Sequence, residues 1–375
     1  MRSTRGWHER PGPPPGVASR AITAQGRPVT AAVLEVRGLT VEFATRRGVV
    51  RAVEDLSLTI GEGEVLGVVG ESGAGKSLTG TAVLGLLEPP ARIGAGEIWL
   101  GGERIDHLPP ARLRRLRGRH MGAIFQDPLT ALDPLFTVGD QLEETIRAHL
   151  PASRAEARAR AVALLAETGV PAPERRMDQY PHQLSGGLRQ RVVIALALCA
   201  EPRLVIADEP TTALDVSTQA QIIALLKRIT RAHGTAVMLV THDMGVIAET
   251  ADRVAVLYAG RVVESGPVRQ VLHAPRHPYT AGLMASIPRL GAVGARLAQI
   301  DGAMPRPGAL PPGCAFHPRC PKAMQRCREE RPPAVADAAS QVACWLAIAP
   351  AEMTARAGEG HARDGAIQAL GSVPP

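Results

Sequence analysis

The run Gly70-Glu71-Ser72-Gly73-Ala74-Gly75-Lys76-Ser77 constrains the fold of this chain more than any other stretch. It follows a short apolar segment, residues 64–69, and precedes residues 76–87, whose spacing predicts a helix closed by Pro89-Pro90. A G-x-x-x-x-G-K-S run between a buried strand and a helix is the pattern of a phosphate loop. Its glycines let backbone N–H groups wrap an oligophosphate, and the helix N-terminus adds its positive end. Lys76 is expected to contact the outer phosphates and Ser77 to ligate Mg²⁺. Composition sharpens the first expectation: of the 43 Lys and Arg residues, only Lys76, Lys227 and Lys322 are lysines. A chain that nearly always uses Arg keeps Lys where a compact ammonium must reach phosphate oxygens.

The rest of the chain reads as strands alternating with helices. Strand character begins at Val33, and residues 49–60 alternate as a paired strand. Residues 96–100 and 120–125 are further short strands. Residues 138–168 have a helical pattern broken at Pro151, with Ser153 as N-cap, and residues 186–200 predict another helix. Two apolar strands, 204–207 and 236–241, are joined by an amphipathic helix over 216–233. This alternation predicts a mainly parallel α/β core over residues 33–272, with the helical block at about 138–191 as a separate lobe. Residues 1–32 are Pro/Gly-rich without periodicity and read as a disordered extension or a mis-set start. Beyond residue 272 Pro is dense and four of the five cysteines appear. A small Cys/Pro-rich domain is expected over 273–347 and a flexible tail over 348–375.

Several function classes are disfavoured by composition. The formal net charge of +7 comes from Arg spread along the chain, and aromatic residues make up only 3%. Base-stacking platforms need aromatics among the basic groups, so no nucleic-acid partner is expected. No apolar run is long enough to span a bilayer; residues 192–200 reach about half that length. The N-terminus lacks the apolar core of a signal peptide, which reads as a cytoplasmic protein.

Residues 203–210, Arg-Leu-Val-Ile-Ala-Asp-Glu-Pro, give an apolar strand that ends in two carboxylates. Downstream of a phosphate loop, Asp208 would orient the magnesium shell and Glu209 would act as general base on the attacking water. Between the two motifs lies Leu184-Ser185-Gly186-Gly187-Leu188, followed by Arg189, Gln190 and Arg191.

In this order the three motifs resemble those of the ATP-binding cassette (ABC) ATPases. The resemblance implies a P-loop NTPase cassette: a RecA-like core, an antiparallel β subdomain and a helical subdomain. Ser185, Gly186 and Gly187 match the signature loop, which in that family closes over ATP held by another subunit. Gln126 matches the Q-loop, meeting water and Mg²⁺. Ala213-Leu214-Asp215 resembles the D-loop, and His242, in Thr241-His242-Asp243, matches the switch histidine. Phe43, 27 residues before Gly70, is a candidate for the aromatic that stacks on adenine. The family signature usually ends in Gln, whereas position 188 is Leu, a habit of the peptide-importer branch. His277-Pro278-Tyr279-Thr280, with Leu283, Ser286 and Pro288, resembles the C-terminal region of dipeptide and oligopeptide importer ATPases.

Cys314, Cys320, Cys327 and Cys344 are spaced by six, seven and seventeen, unlike the paired C-x-x-C of zinc ribbons. Disulfides are disfavoured in the cytosol. Four thiols in a weakly cored segment could hold a four-cysteine 4Fe–4S cluster, with zinc next; the other reading is four reduced cysteines packed as small hydrophobes. Cys199 reads as plain core.

The functional expectation is an ATPase subunit at the cytoplasmic face of the membrane. It would dimerise with itself or a paralogous ABC ATPase and drive two integral-membrane permease subunits. These would import di- or oligopeptides delivered by an extracytoplasmic solute-binding protein. The alternatives are an importer ATPase for nickel or another small solute, and a non-transport ABC ATPase acting on DNA or ribosomes. A non-hydrolysing regulatory cassette is opposed by Lys76, Glu209 and His242.

Overall fold

The computed structural model describes residues 32–348 except 47, 213, 288–298 and 338. The extension 1–31, the tail beyond 348, Ala213 and Pro288 lie outside the described residues. Two long strands open the structure, β1 (Ala32–Thr45) and β2 (Gly48–Gly61), paired antiparallel. β3 (Val65–Val69) leads into the phosphate loop, and the helix Lys76–Val83 follows. β4 (Ala91–Leu100) returns to pair with β1 and carries the short β5 (Glu103–Arg104). β1, β2, β4 and β5 form one antiparallel sheet in the order β2-β1-β4-β5.

The second sheet is built on the parallel strands β6 (Met121–Ile124), β7 (Leu204–Asp208) and β8 (Ala236–Val240). β9 (Arg253–Tyr258) lies parallel to β3, and β10 (Arg261–Pro267) turns back antiparallel to β9. Two short strands from late in the chain, β11 (Val335–Ala336) and β12 (Gln341–Val342), extend this sheet beyond β10. The eight-stranded order is β11-β12-β10-β9-β3-β8-β7-β6. Every residue of β3 and β8 is buried, as expected of parallel strands covered on both faces.

The helical block emerges between β6 and β7. Val138–His149 and Arg154–Glu167 are each started by a capping box, from Thr137 with Asp140 and from Ser153 with Glu156. Leu142, Ile146, Ala161, Leu165 and Met177 fill the seam between these helices and join the core under Val192–Ile194. The helix Lys76–Val83 stops short of the expected residue 87. Gly85, at φ 62°, takes the left-handed conformation, and the Leu86 N–H bonds back to the Thr81 carbonyl.

The sheet order fixes where chemistry can occur. β3, β8, β7 and β6 are neighbours and mutually parallel, so the segments leaving their C-terminal ends emerge at one edge. Those segments begin with Gly70, Thr241, Glu209 and Phe125. Among the described residues no helix is long and apolar enough to cross a membrane.

Candidate active site

The phosphate loop is shaped by glycines at two close approaches. A Cβ on Gly70 would lie 2.3 Å from the Leu257 carbonyl oxygen, and Gly70 sits at φ 154°. Gly75, at φ 98°, caps the helix Lys76–Val83, and a Cβ there would lie 3.4 Å from the Gly260 Cα. Lys76 is buried, and its Nζ donates to the Gly70 carbonyl at 2.8 Å and the Glu71 carbonyl at 3.1 Å. Burial pulls its pKa below the usual lysine value, against the opposing pull of Glu209, Asp208 and Glu71.

Ser77 and Asp208 meet across the loop, with Oγ donating to Oδ1 at 2.9 Å. Burial raises the Asp208 pKa, opposed by the Ser77 hydroxyl and reinforced by the neighbouring Glu209. Glu209 leaves β7 at φ 47°, a left-handed conformation uncommon for a residue with a Cβ. Its N–H bonds to the Val240 carbonyl at 2.8 Å, which ties the turn to the end of β8.

Three side chains converge on the Glu209 carboxylate. Gln126 Nε2 donates to Oε2 at 3.1 Å, Thr212 Oγ1 donates to Oε2 at 2.9 Å, and His242 Nδ1 lies 3.1 Å from Oε1. Burial pushes the Glu209 pKa up, but His242, Thr212 and Lys76 outweigh it and hold the carboxyl below the usual glutamate range. The group is therefore ionised at neutral pH. The His242 ring stays 61% exposed, free to turn toward a ligand.

Lys76, Ser77, Gln126, Asp208, Glu209 and His242 thus form one constellation, with Ser72 and Gly73 in the same loop. Phe43, Ser185, Gly186, Gly187 and Asp215 share no hydrogen bond with it among the described residues. Phe43 is half-buried on β1, opposite Val50 and Ala91. Ser185 is exposed and caps the helix Gly186–Leu198, accepting from the Leu188 N–H at 3.4 Å. Gly187 lies so close to Thr218 that a Cβ there would sit 2.7 Å from its methyl group. Asp215 caps the helix Val216–His233, accepting from the Thr218 N–H and hydroxyl. Thr212 was not singled out from the sequence, since a second Thr after a strand carries no local signal of its own.

In the C-terminal region, Cys314, Cys320, Cys327 and Cys344 line one cavity together with His277, Phe316 and Trp345. All are free thiols. Burial raises the pKa of Cys314 to about 11, helped by the other three thiols, and shifts Cys320 and Cys344 upward as well. As placed, no group of three or more His, Cys, Asp or Glu side chains among the described residues could hold a metal ion. The thiols lie where neutral side chains pack: Cys327 and its neighbour Cys314 join Trp345 and Ile348 in a small apolar cluster.

A phosphate loop, an acidic strand end, a glutamine and a histidine gathered at the C-terminal edge of parallel strands define a P-loop nucleotide-hydrolysing cassette. Comparison with known proteins places it further. Residues 53–212 match the family model described as ABC transporter, and residues 263–327 match that of the oligopeptide/dipeptide transporter C-terminal region. The chain is 46% identical to the dipeptide transport ATP-binding protein DppD of Bacillus subtilis, over 87% of this chain and 98% of that protein. It is 48% identical to the oligopeptide transport ATP-binding protein OppD of Salmonella typhimurium, over 84% of this chain and 94% of that protein. A solved dimer of the ATP-binding cassette MJ0796, bound to ADP and Pi in a post-hydrolysis state, covers 63% of this chain at 31% identity. All but 1% of the solved chain is covered, with a TM-score of 0.57. The chain belongs to the ABC transporter family, among ABC-type ATPases that carry the oligopeptide/dipeptide transporter C-terminal region.

Proposed function

We propose that this chain hydrolyses MgATP to power uptake of di- and oligopeptides through separate membrane permeases. The observation that carries the reading is the convergence of Gln126, Thr212 and His242 on an ionised Glu209 beside the phosphate loop. Lys76 trades its two loop carbonyls for the outer phosphates of ATP, and Phe43 stacks on adenine. Ser77, Gln126 and Asp208 would hold Mg²⁺, which would supply positive charge beside the phosphates. Glu209 accepts a proton from the attacking water while His242 swings from its carboxylate to the γ-phosphate.

Ser185, Gly186 and Gly187 complete the site of a second cassette, either another copy or a paralogue, and Asp215 lies at that interface. The exposed N-terminus of the 13-residue helix Gly186–Leu198 offers N–H groups and a positive end to a partner's nucleotide. The permeases dock beside Gln126, where Phe125, Leu129, Leu135 and Phe136 are all exposed. The protein then works at the cytoplasmic face of the membrane, receiving substrate indirectly from an extracytoplasmic binding protein. The names of the DppD and OppD relatives support peptides over nickel or other solutes.

Replacing Glu209 with Gln tests the catalytic assignment: ATP binding should persist and a closed dimer should accumulate. Undiminished turnover would overturn it. Reconstitution with two permeases tests the substrate, with ATP-dependent uptake of a labelled dipeptide as the expected result.

We further propose that Cys314, Cys320, Cys327 and Cys344, drawn closer together than the placement described above, in which they form no metal-holding group, hold an iron–sulfur cluster. Support comes from the donor set, four thiols that line one cavity. Such a cluster would supply folding free energy to a segment with little apolar core of its own. Protein purified without oxygen should be brown; a colourless, iron-free preparation would sink the idea.

A further inference from the structure

The second residue of the phosphate loop is gripped from outside the nucleotide-binding core. The Glu71 backbone N–H donates to the Tyr279 hydroxyl at 2.9 Å, and the Glu71 carboxylate accepts from Arg319 Nη1 at 3.0 Å. Both partners come from the C-terminal region, more than two hundred residues further along the chain. They are not casual surface contacts. Tyr279 is fully buried, with its ring edge-on to Tyr258 at 4.7 Å and tilted against Phe316 at 5.3 Å. The Arg319 side chain is only 6% exposed. Its Nε donates to the Asp301 carbonyl at 2.8 Å and its Nη2 to the Ile300 carbonyl at 3.2 Å. With those carbonyls fixing two corners of the fork, the third is aimed at Glu71.

Glu71 depends on this arrangement. Its other carboxylate oxygen, Oε1, is buried and finds no hydrogen-bond partner among the described residues. Arg319 is thus the cation that compensates a carboxylate set immediately after Gly70. An uncompensated negative charge there would repel the phosphates the loop is built to hold. The backbone contact matters for a second reason. Lys76 Nζ ties the Gly70 and Glu71 carbonyls together inside the loop. When the ammonium leaves them for a phosphate, that internal tie is lost, and the grip on the Glu71 N–H and carboxylate remains.

We propose that Tyr279 and Arg319 are positioning residues for the nucleotide site, holding the phosphate loop through Glu71 in the geometry that receives ATP. The C-terminal region is then part of the ATPase machinery as well as a neighbour of it. This rests on the ATPase reading above: a wild-type chain without ATPase activity would sink that reading, whereas the clamp is judged against a wild type that turns over.

The test uses the full-length chain and reads KM for ATP, kcat and the dissociation constant of MgADP. Arg319→Gln should raise KM and the MgADP constant about tenfold, with kcat at saturating ATP changed less than about twofold. Tyr279→Phe keeps the ring packing, removes only the acceptor, and should raise KM about three- to fivefold. Adding Glu71→Gln to Arg319→Gln removes the unpaired charge and should recover most of the lost affinity, a rescue that a merely structural role would not produce. Wild-type KM in folded Arg319→Gln and Tyr279→Phe, or a double variant no better than Arg319→Gln, would overturn the proposal. Should Arg319→Gln fold poorly, Tyr279→Phe decides by the same criterion.

Discussion

Two glutamates of this protein are held in opposite ways. Glu209 is approached by Gln126, Thr212 and His242 from three separate segments, and the His242 ring among them is 61% exposed. Glu71 is held by a buried Tyr279 and an almost fully enclosed Arg319, backed by Tyr258 and Phe316. The first carboxylate is kept ionised yet releasable, because its partners are neutral or swing freely. The second is neutralised by a cation that cannot leave. A base must exchange partners during a turnover, whereas a support must not, and the two environments are built accordingly.

The same substitution at the two positions should therefore do different things. Glu209→Gln removes the base and should lower kcat by about 10²- to 10⁴-fold with nucleotide binding kept, measured as steady-state turnover beside MgADP binding. A comparable kcat loss in Glu71→Gln would erase the distinction. The enclosed side can be probed by acid. His277, buried against Phe316, accepts from the Tyr279 N–H, and burial holds its pKa down to about 4 from an ordinary 6.5. Between these values the unfolded chain binds a proton that the native state refuses, so stability falls as pH drops from 6.5 and has lost its full share by 4. The loss is about 3 kcal/mol. Urea midpoints against pH should show this slope in wild type and a shallower one in His277→Asn, which keeps an acceptor for the helix cap.

Smaller effects sharpen the contrast. Thr212→Val removes one neutral donor from Glu209 and should slow turnover about three- to fivefold, with KM for ATP unmoved. Glu71→Gln alone removes a charge but leaves the Tyr279 contact to the backbone. It should raise KM only about twofold, with kcat unchanged, in the same steady-state assay.

Much of the catalytic face was legible in the sequence because its motifs are local. The phosphate loop, the acidic end of β7 and the helix Val216–His233 each occupy one short run with its own punctuation, and Ser153 sits at the helix start its spacing predicts. Hydrogen bonds between Ser77 and Asp208, or Gln126 and Glu209, follow once parallel strands place those ends together. The β9–β10 hairpin is not legible in the sequence. Its two-residue turn is Ala259-Gly260, both at positive φ, and Ala in place of the usual Asn or Asp gives no turn signal. β11 and β12 are two residues each, too short to show a period; β12 exists because β10 offers it an edge, and β11 because β12 does. The Glu71 clamp is invisible in sequence for a related reason. Nothing near Glu71 announces a partner 248 residues away.

The late strand β12 also bears on how the protein is made. Glu264 and Ser265 of β10 pair with Val342 and Gln341, so the flank of the large sheet is covered only by some of the last described residues. On the ribosome, the nucleotide-binding core emerges well before that cover does. Until residues 341–342 have left the exit tunnel, the nascent chain presents a bare strand edge to every neighbouring polypeptide, the kind of surface that recruits chaperones or seeds aggregates. A stop codon just ahead of residue 335 would leave the phosphate loop and Glu209 untouched and still release a sticky protein.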